Sequence, residues 1–171
     1  MTSPDVMNTG MAGSSFGLLL ASLLLMGCAG SARESPASGP LDLPAVTAAL
    51  QNAGIAVIDV ADNLNPRDGP WRCLPGSFRL ARISQQRPAA FARPGDRPSV
   101  EVLLFPSDAE RATAERTIGV DGQVQAPGCG TMVDWVATPH VVGVRNALLI
   151  AVTDDPAALA AVRAAASRLR I

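Results

Sequence analysis

Lysine and tyrosine are absent, histidine occurs once, and aromatic residues make up 4% of the 171-residue chain. All fourteen basic side chains are therefore arginines, set against fifteen carboxylates for a net charge of −1. With abundant Ala, Gly and Pro, this reads as the coding bias of a GC-rich genome. The arginines are scattered, with no stripe to follow a nucleic acid backbone and no polybasic run to seek anionic lipid. Nucleic acid is excluded as a partner on that ground. Any histidine-dependent chemistry must use His140. There is no C-x-x-C, so thioredoxin-like exchange has no support. The one G-x-S-x-G match, at residues 13–17, does not follow a strand as a nucleophile elbow requires. Asp59, Asp62 and Asp68 lack EF-hand spacing, and no set of ligands has the tight spacing of a zinc site. The expectation is no cofactor, no metal and no catalytic residue.

What the chain does have is an early apolar run. Residues 16–26, F-G-L-L-L-A-S-L-L-L-M, are too few to span a bilayer, which needs about 20, but suit the apolar core of a signal peptide. The run ends in Leu25-Met26-Gly27-Cys28, which resembles the lipobox of bacterial lipoproteins, L-x-G/A-C. The resemblance implies a lipid on the Cys28 thiol and cleavage between Gly27 and Cys28. Two or three acyl chains on one residue give stable anchoring, where a single chain is marginal. The segment before the run departs from a normal signal peptide, having Asp5 and no arginine. Ala29, not Asp, follows the cysteine, so the usual inner-membrane retention signal is missing. The expected location is the cell membrane or outer membrane, with the domain outside the cytoplasm. Residues 29–40, A-G-S-A-R-E-S-P-A-S-G-P, have too little apolar surface to fold. The expected organisation is a signal peptide at 1–27, a flexible tether at 28–42 and one domain at 43–171.

Periodicity across the domain predicts a helix at 43–53 with Leu43, Val46 and Leu50 on one face, Pro44 in its first turn and Gly54 at its stop. Strands are expected at 55–60, 77–83, 100–105, 131–137, 140–144 and 147–152, the last placed centrally as a nearly continuous apolar run. Residues 61–75 read as a loop. Ser107 and Glu110 form a capping box for a helix to about Arg116, with a shallow face of Ala109, Ala112 and Thr113. Asp155-Pro156 opens a last helix, with Leu159, Val162, Ala166 and Leu169 as its stripe. The fold class is α+β, a mainly antiparallel sheet with three helices on one face.

The stretch from Gly130-Thr131 through Trp135 to Pro139-His140 is similar to an uncharacterised family of small bacterial lipoproteins. The C-terminal half of that family reads roughly G-T-x-x-x-W-x-x-P-P-H, then a turn, an apolar strand ending in Asp-Asp, and a closing helix. Here A-L-L-I-A-V-T-D-D, 147–155, stands where that strand belongs. Val141-Val142 replaces an aromatic pair, and Cys73 and Cys129 are not in the pattern. The resemblance implies an anchored address and this fold, and names no activity.

Cys73 and Cys129 each lie in a Pro/Gly loop. An even number of cysteines in an exported domain suggests pairing, the alternatives being two free thiols or a metal site with His140. Closing a loop of about 55 residues would contribute roughly 4 kcal/mol by the chain-entropy estimate. His140 reads first as a structural residue at a strand start. Trp135 reads first as core within a strand. Both are also candidates for ligand contact. The functional expectation is a non-enzymatic binding or accessory domain of the cell envelope, held to the membrane by Cys28 and partnered by an envelope protein. The alternative is a small extracytoplasmic hydrolase using His140, with Ser77 or Ser99 and Asp134 or Asp154.

Overall fold

The structure, a computed structural model, describes residues 39–66, 69–85, 99–129 and 133–171. The leader, Cys28 and most of the expected tether lie outside the described residues. Helix α1 (Leu43–Asn52) starts where the Asp42 side chain accepts from the Ala45 N–H at 2.9 Å, with Pro44 in its first turn. It ends at Gly54, whose φ of +93° is a conformation that favours glycine. Five strands follow, β1 (Val57–Leu64), β2 (Arg79–Gln85), β3 (Ser99–Leu104), β4 (Pro139–Val144) and β5 (Ala147–Val152). They form one antiparallel sheet in the order β1-β2-β3-β5-β4. Helix α2 (Asp108–Glu115) lies between β3 and β4, and α3 (Pro156–Arg168) closes the chain.

Strand β1 runs four residues beyond its expected end at Val60, into the polar Asp62-Asn63 stretch. It can do so because it is an edge strand, where polar side chains meet solvent. Two irregularities in its register and a φ of +50° at Asn63 bend it. The Asp62–Arg79 ion pair ties it to β2. The strand expected at 131–137 is not formed over its described part, 133–137. The backbone groups of Val133 are taken by a side chain instead: the Gln123 amide accepts from its N–H at 2.9 Å and donates to its carbonyl at 2.7 Å. Strand β5 lies inside the sheet, but β3 holds the centre.

Strands β3 and β5 are apolar at nearly every position, so both faces of the sheet must be covered. Alternation sends Val100, Val102, Leu149 and Ala151 to one cluster with Leu43, Val46 and Leu50 of α1 and Val162, Ala165 and Ala166 of α3. Leu103, Leu148 and Ile150 go to a second cluster with Trp71, Leu74, Phe105, Val124 and Ala114 of α2. The expected placing of all three helices on one face is therefore corrected for α2. Its buried residue is Ala114, while Ala109 and Thr113 are exposed. The physical reason is the apolar second face itself, where Leu103, Leu148 and Ile150 need cover and Ala114 supplies part of it; Gly143 of β4 leaves room beside it. A Cβ there would come within 2.6 Å of Glu115 Oε1, so its absence lets the Arg111–Glu115 ion pair of α2 lie against the strand. The Ser107 cap of α2 forms as expected, Oγ accepting from the Glu110 N–H at 3.2 Å. The Asp155 cap of α3 does too, accepting from the Ala157 N–H at 2.9 Å.

The domain begins slightly before residue 43. Leu41 is buried, and its backbone is held from both sides by Asn146, the second residue of the β4–β5 turn. Asn146 Oδ1 accepts from the Leu41 N–H at 2.6 Å, while Nδ2 donates to the carbonyls of Leu41 at 3.2 Å and Phe105 at 2.9 Å. Arg145 also donates to the Gly39 carbonyl. No helix among the described residues is long and apolar enough to cross a membrane.

Candidate functional site

The sheet face not covered by α1 and α3 is closed mainly by loops, and most of the singled-out residues converge there. After β1 the chain makes a 3-10 turn, Pro70–Cys73, that puts Trp71 wholly inside. Pro70 presets the first turn and removes an N–H that would have no partner. The Trp71 indole N–H donates to Glu101, a carboxylate buried in the middle of β3. Glu101 also accepts from Arg82 on β2, at 2.8 and 3.3 Å, and the two residues sit directly opposite each other in the register. The Arg82 ion pair and the Trp71 donor together offset the cost of burying this carboxylate.

Cys73 and Cys129 are bonded, with a sulfur–sulfur distance of 2.04 Å and Cα atoms 5.9 Å apart. Their sulfurs are spent on each other, which removes the reading of a metal site shared with His140. Among the described residues, no group of three or more His, Cys, Asp or Glu side chains is placed to hold a metal ion. The disulfide holds the turn carrying Trp71 to the segment after Val124. Trp135 joins this layer from a loop, not a strand, its ring tilted 35° to Trp71 with centroids 5.9 Å apart. Phe78 packs on Phe105 in the same way, at 5.5 Å. Beside this layer is an open hollow of about 350 Å³, lined by Pro66, Arg72, Leu74, Gly76, Ser77 and Phe78.

His140 is elsewhere. It pairs with Ala151, whose side chain belongs to the helical face, so His140 and Trp135 are on opposite faces and do not form one contact surface. Its Nε2 meets the Thr153 carbonyl at 3.0 Å, the role of a structural residue at a strand start. Asp154 is nearby but engaged with Thr138, accepting from its N–H at 3.0 Å and from its hydroxyl at 2.6 Å. Those bonds, with a smaller contribution from His140, hold the Asp154 carboxyl below its ordinary value of 3.8. Ser77 precedes β2, at the other end of the sheet from His140. Ser99 alternates to the loop face. The Ser–His–carboxylate arrangement of the alternative reading is not brought together.

No protein-family model, curated protein or solved structure matches the chain. Sequence reasoning missed Glu101, Asn146 and Gln123, which organise the loop face and the start of the domain. The one available signal was Glu101, a charge inside the apolar run Val100–Phe105. A carboxylate there has to find a donor, and the Trp71 indole supplies one.

Proposed function

We propose that the chain is the precursor of a lipid-anchored envelope protein, cut before Cys28, whose domain is a non-enzymatic binding or accessory module. The observation that supports this best is the Cys73–Cys129 disulfide in the domain that follows an eleven-residue apolar run ending in Gly27-Cys28. A disulfide persists in an oxidising compartment, which is where such a leader would deliver the domain. The non-enzymatic reading is supported by His140, which is tied to a backbone carbonyl and separated from the serines and from Trp135. The test is intact-mass analysis of the protein purified from its native membrane. The expected result is loss of residues 1–27 and the added mass of a diacylglycerol, with or without a further acyl chain, on Cys28. Cys28→Ser should shift the protein from the membrane to the soluble fraction. An intact Met1–Gly27 in wild-type protein overturns the reading.

A further inference from the structure

The sheet has two edges, and they are finished differently. Edge strand β1 is guarded. Its register to β2 slips twice, Asn63 takes a φ of +50°, and Asp59 and Asp62 stand exposed along it. Bulges and charges of this kind turn an edge away from further pairing. Edge strand β4, P-H-V-V-G-V, has neither. It pairs with β5 without a slip, from Pro139 opposite Val152 to Val144 opposite Ala147, and it carries no carboxylate or guanidinium. Which of its backbone groups face outward follows from the bonds of β5. The Phe105 N–H donates to the Asn146 carbonyl, so Asn146, Leu148 and Ile150 point their backbone groups at β3. Ala147, Leu149 and Ala151 therefore point theirs at β4, where their partners are Val144, Val142 and His140. The Thr153 N–H, donating to the Thr138 carbonyl at 3.0 Å, continues the same alternation. Pro139, Val141 and Gly143 are left facing away from the sheet. Pro139 has no N–H and sits where none is needed. Among the described residues, nothing hydrogen-bonds the N–H or the carbonyl of Val141 or Gly143.

The layers above and below this edge decide what fits it. Helix α3 packs on β4 from the face of Val142, and helix α2 from the face of Val141. A second copy of the chain, pairing edge to edge, would bring its own α2 and α3 over the neighbouring strand. Adjacent strands lie about 5 Å apart, whereas packed helices need about 8–10 Å. A bare extended segment meets no such conflict. The side chains along the edge set its chemistry. Val142 offers an apolar neighbour on the helical face, which suits a β-branched residue opposite it. On the loop face, the Arg111–Glu115 ion pair lies beside Gly143, and its charges are spent on each other. The residue opposite Gly143 is therefore small and uncharged.

We propose that the outer edge of β4 is a docking site for an extended segment of another protein. The segment adds antiparallel, bonds the N–H and carbonyl of both Val141 and Gly143, and alternates small polar with β-branched side chains. The proposal rests on the reading of the domain as a binding module, and not on the lipid at Cys28. The test follows amide exchange, residue by residue, by NMR of the full-length chain in detergent micelles. In the chain alone, the amides of Val141 and Gly143 should exchange roughly 100-fold faster than those of Val142 and Val144, or more. The peptide acetyl-Thr-Thr-Val-Thr-Thr-amide, with its central valine opposite Val142, should slow the Val141 and Gly143 amides by about fivefold or more at saturation. N-methylation of its second and fourth residues should abolish the effect. N-methylation of the central valine, whose N–H points away from β4, should not. Val141→Pro should remove the effect at Gly143 and lower the melting temperature far less than Val142→Pro, which takes a donor from the ladder to β5. Equal protection of all four amides in the chain alone, at every concentration, means that the chain closes its own edge and overturns the proposal. Protection of Val141 and Gly143 that grows with chain concentration assigns the edge to a second copy and overturns the choice of occupant. No response to the peptide, or the same response to its doubly methylated form, overturns strand addition. A chain that responds but carries no lipid on Cys28 fails the anchor and leaves the docking edge standing; a lipidated chain that does not respond does the reverse.

Discussion

Asn146 satisfies three buried backbone groups from two distant segments, and its own carbonyl accepts from the Phe105 N–H at 2.8 Å. Asn146→Ala leaves the Leu41 N–H and the Leu41 and Phe105 carbonyls without that partner. The expected cost is about 3 kcal/mol, seen as a lower urea midpoint and a melting temperature reduced by on the order of 10 °C. Asp154 makes a prediction of a different kind. Its carboxyl is held below 3.8 by the Thr138 hydrogen bonds, so the folded state binds this proton less readily than the unfolded chain. Its contribution is present above the unfolded value and is lost as the pH falls from about 4 through the lower folded value. Asp154→Asn should flatten that part of the stability profile and leave the slope at neutral pH unchanged, as followed by urea midpoints against pH. Neither role was legible in the sequence. Asn146 looks like an ordinary turn residue and Asp154 like a flank of the helix cap, because their partners are 105, 41 and 16 residues away.

Elements with local causes were legible. Helices α1 and α3 carry their proline and cap signals within a few residues, and β5 announces itself as an apolar run. Elements whose causes are distant were misread. The segment before Pro139 has the composition of a strand, yet Val133 finds its partner in a side chain and Trp135 turns to cover the loop face. For α2 the sequence contains the cap but not the packed face, because that face is set by the distant Leu103, Leu148 and Ile150 against which Ala114 packs. Two glycines therefore differ in a testable way. Gly122→Ala would combine a φ of +73° with contacts under 3 Å to the Pro139 ring, which cannot move aside. It should cost about 2–3 kcal/mol and disturb Trp135 fluorescence. Gly143→Ala meets only the mobile ends of Arg111 and Glu115 and should cost about 1 kcal/mol or less. Equal losses from the two would contradict this account of the α2 and Trp135 contacts.

At the scale of the whole molecule, one sheet is covered by two helices on one side and, on the other, by loops with one short helix. Loops bury less apolar surface per residue than helices, and the disulfide compensates by fixing this layer. Cys73→Ala with Cys129→Ala should cost about 2–5 kcal/mol. The loop face should open first, with amides of 69–78 exchanging faster than those of β3 and β5 in hydrogen exchange. The sequence by itself determined the α+β class, the capped helices, the apolar strands and the even pair of cysteines in the domain, because each is written in adjacent residues or in simple counts. Only the tertiary structure decided that Trp71 shares a buried carboxylate with Arg82, that His140 and Trp135 face opposite ways, and that Asn146 holds Leu41 and Phe105 together. Those facts follow from strand order and register, which bring together residues far apart in the chain, and no local pattern encodes them.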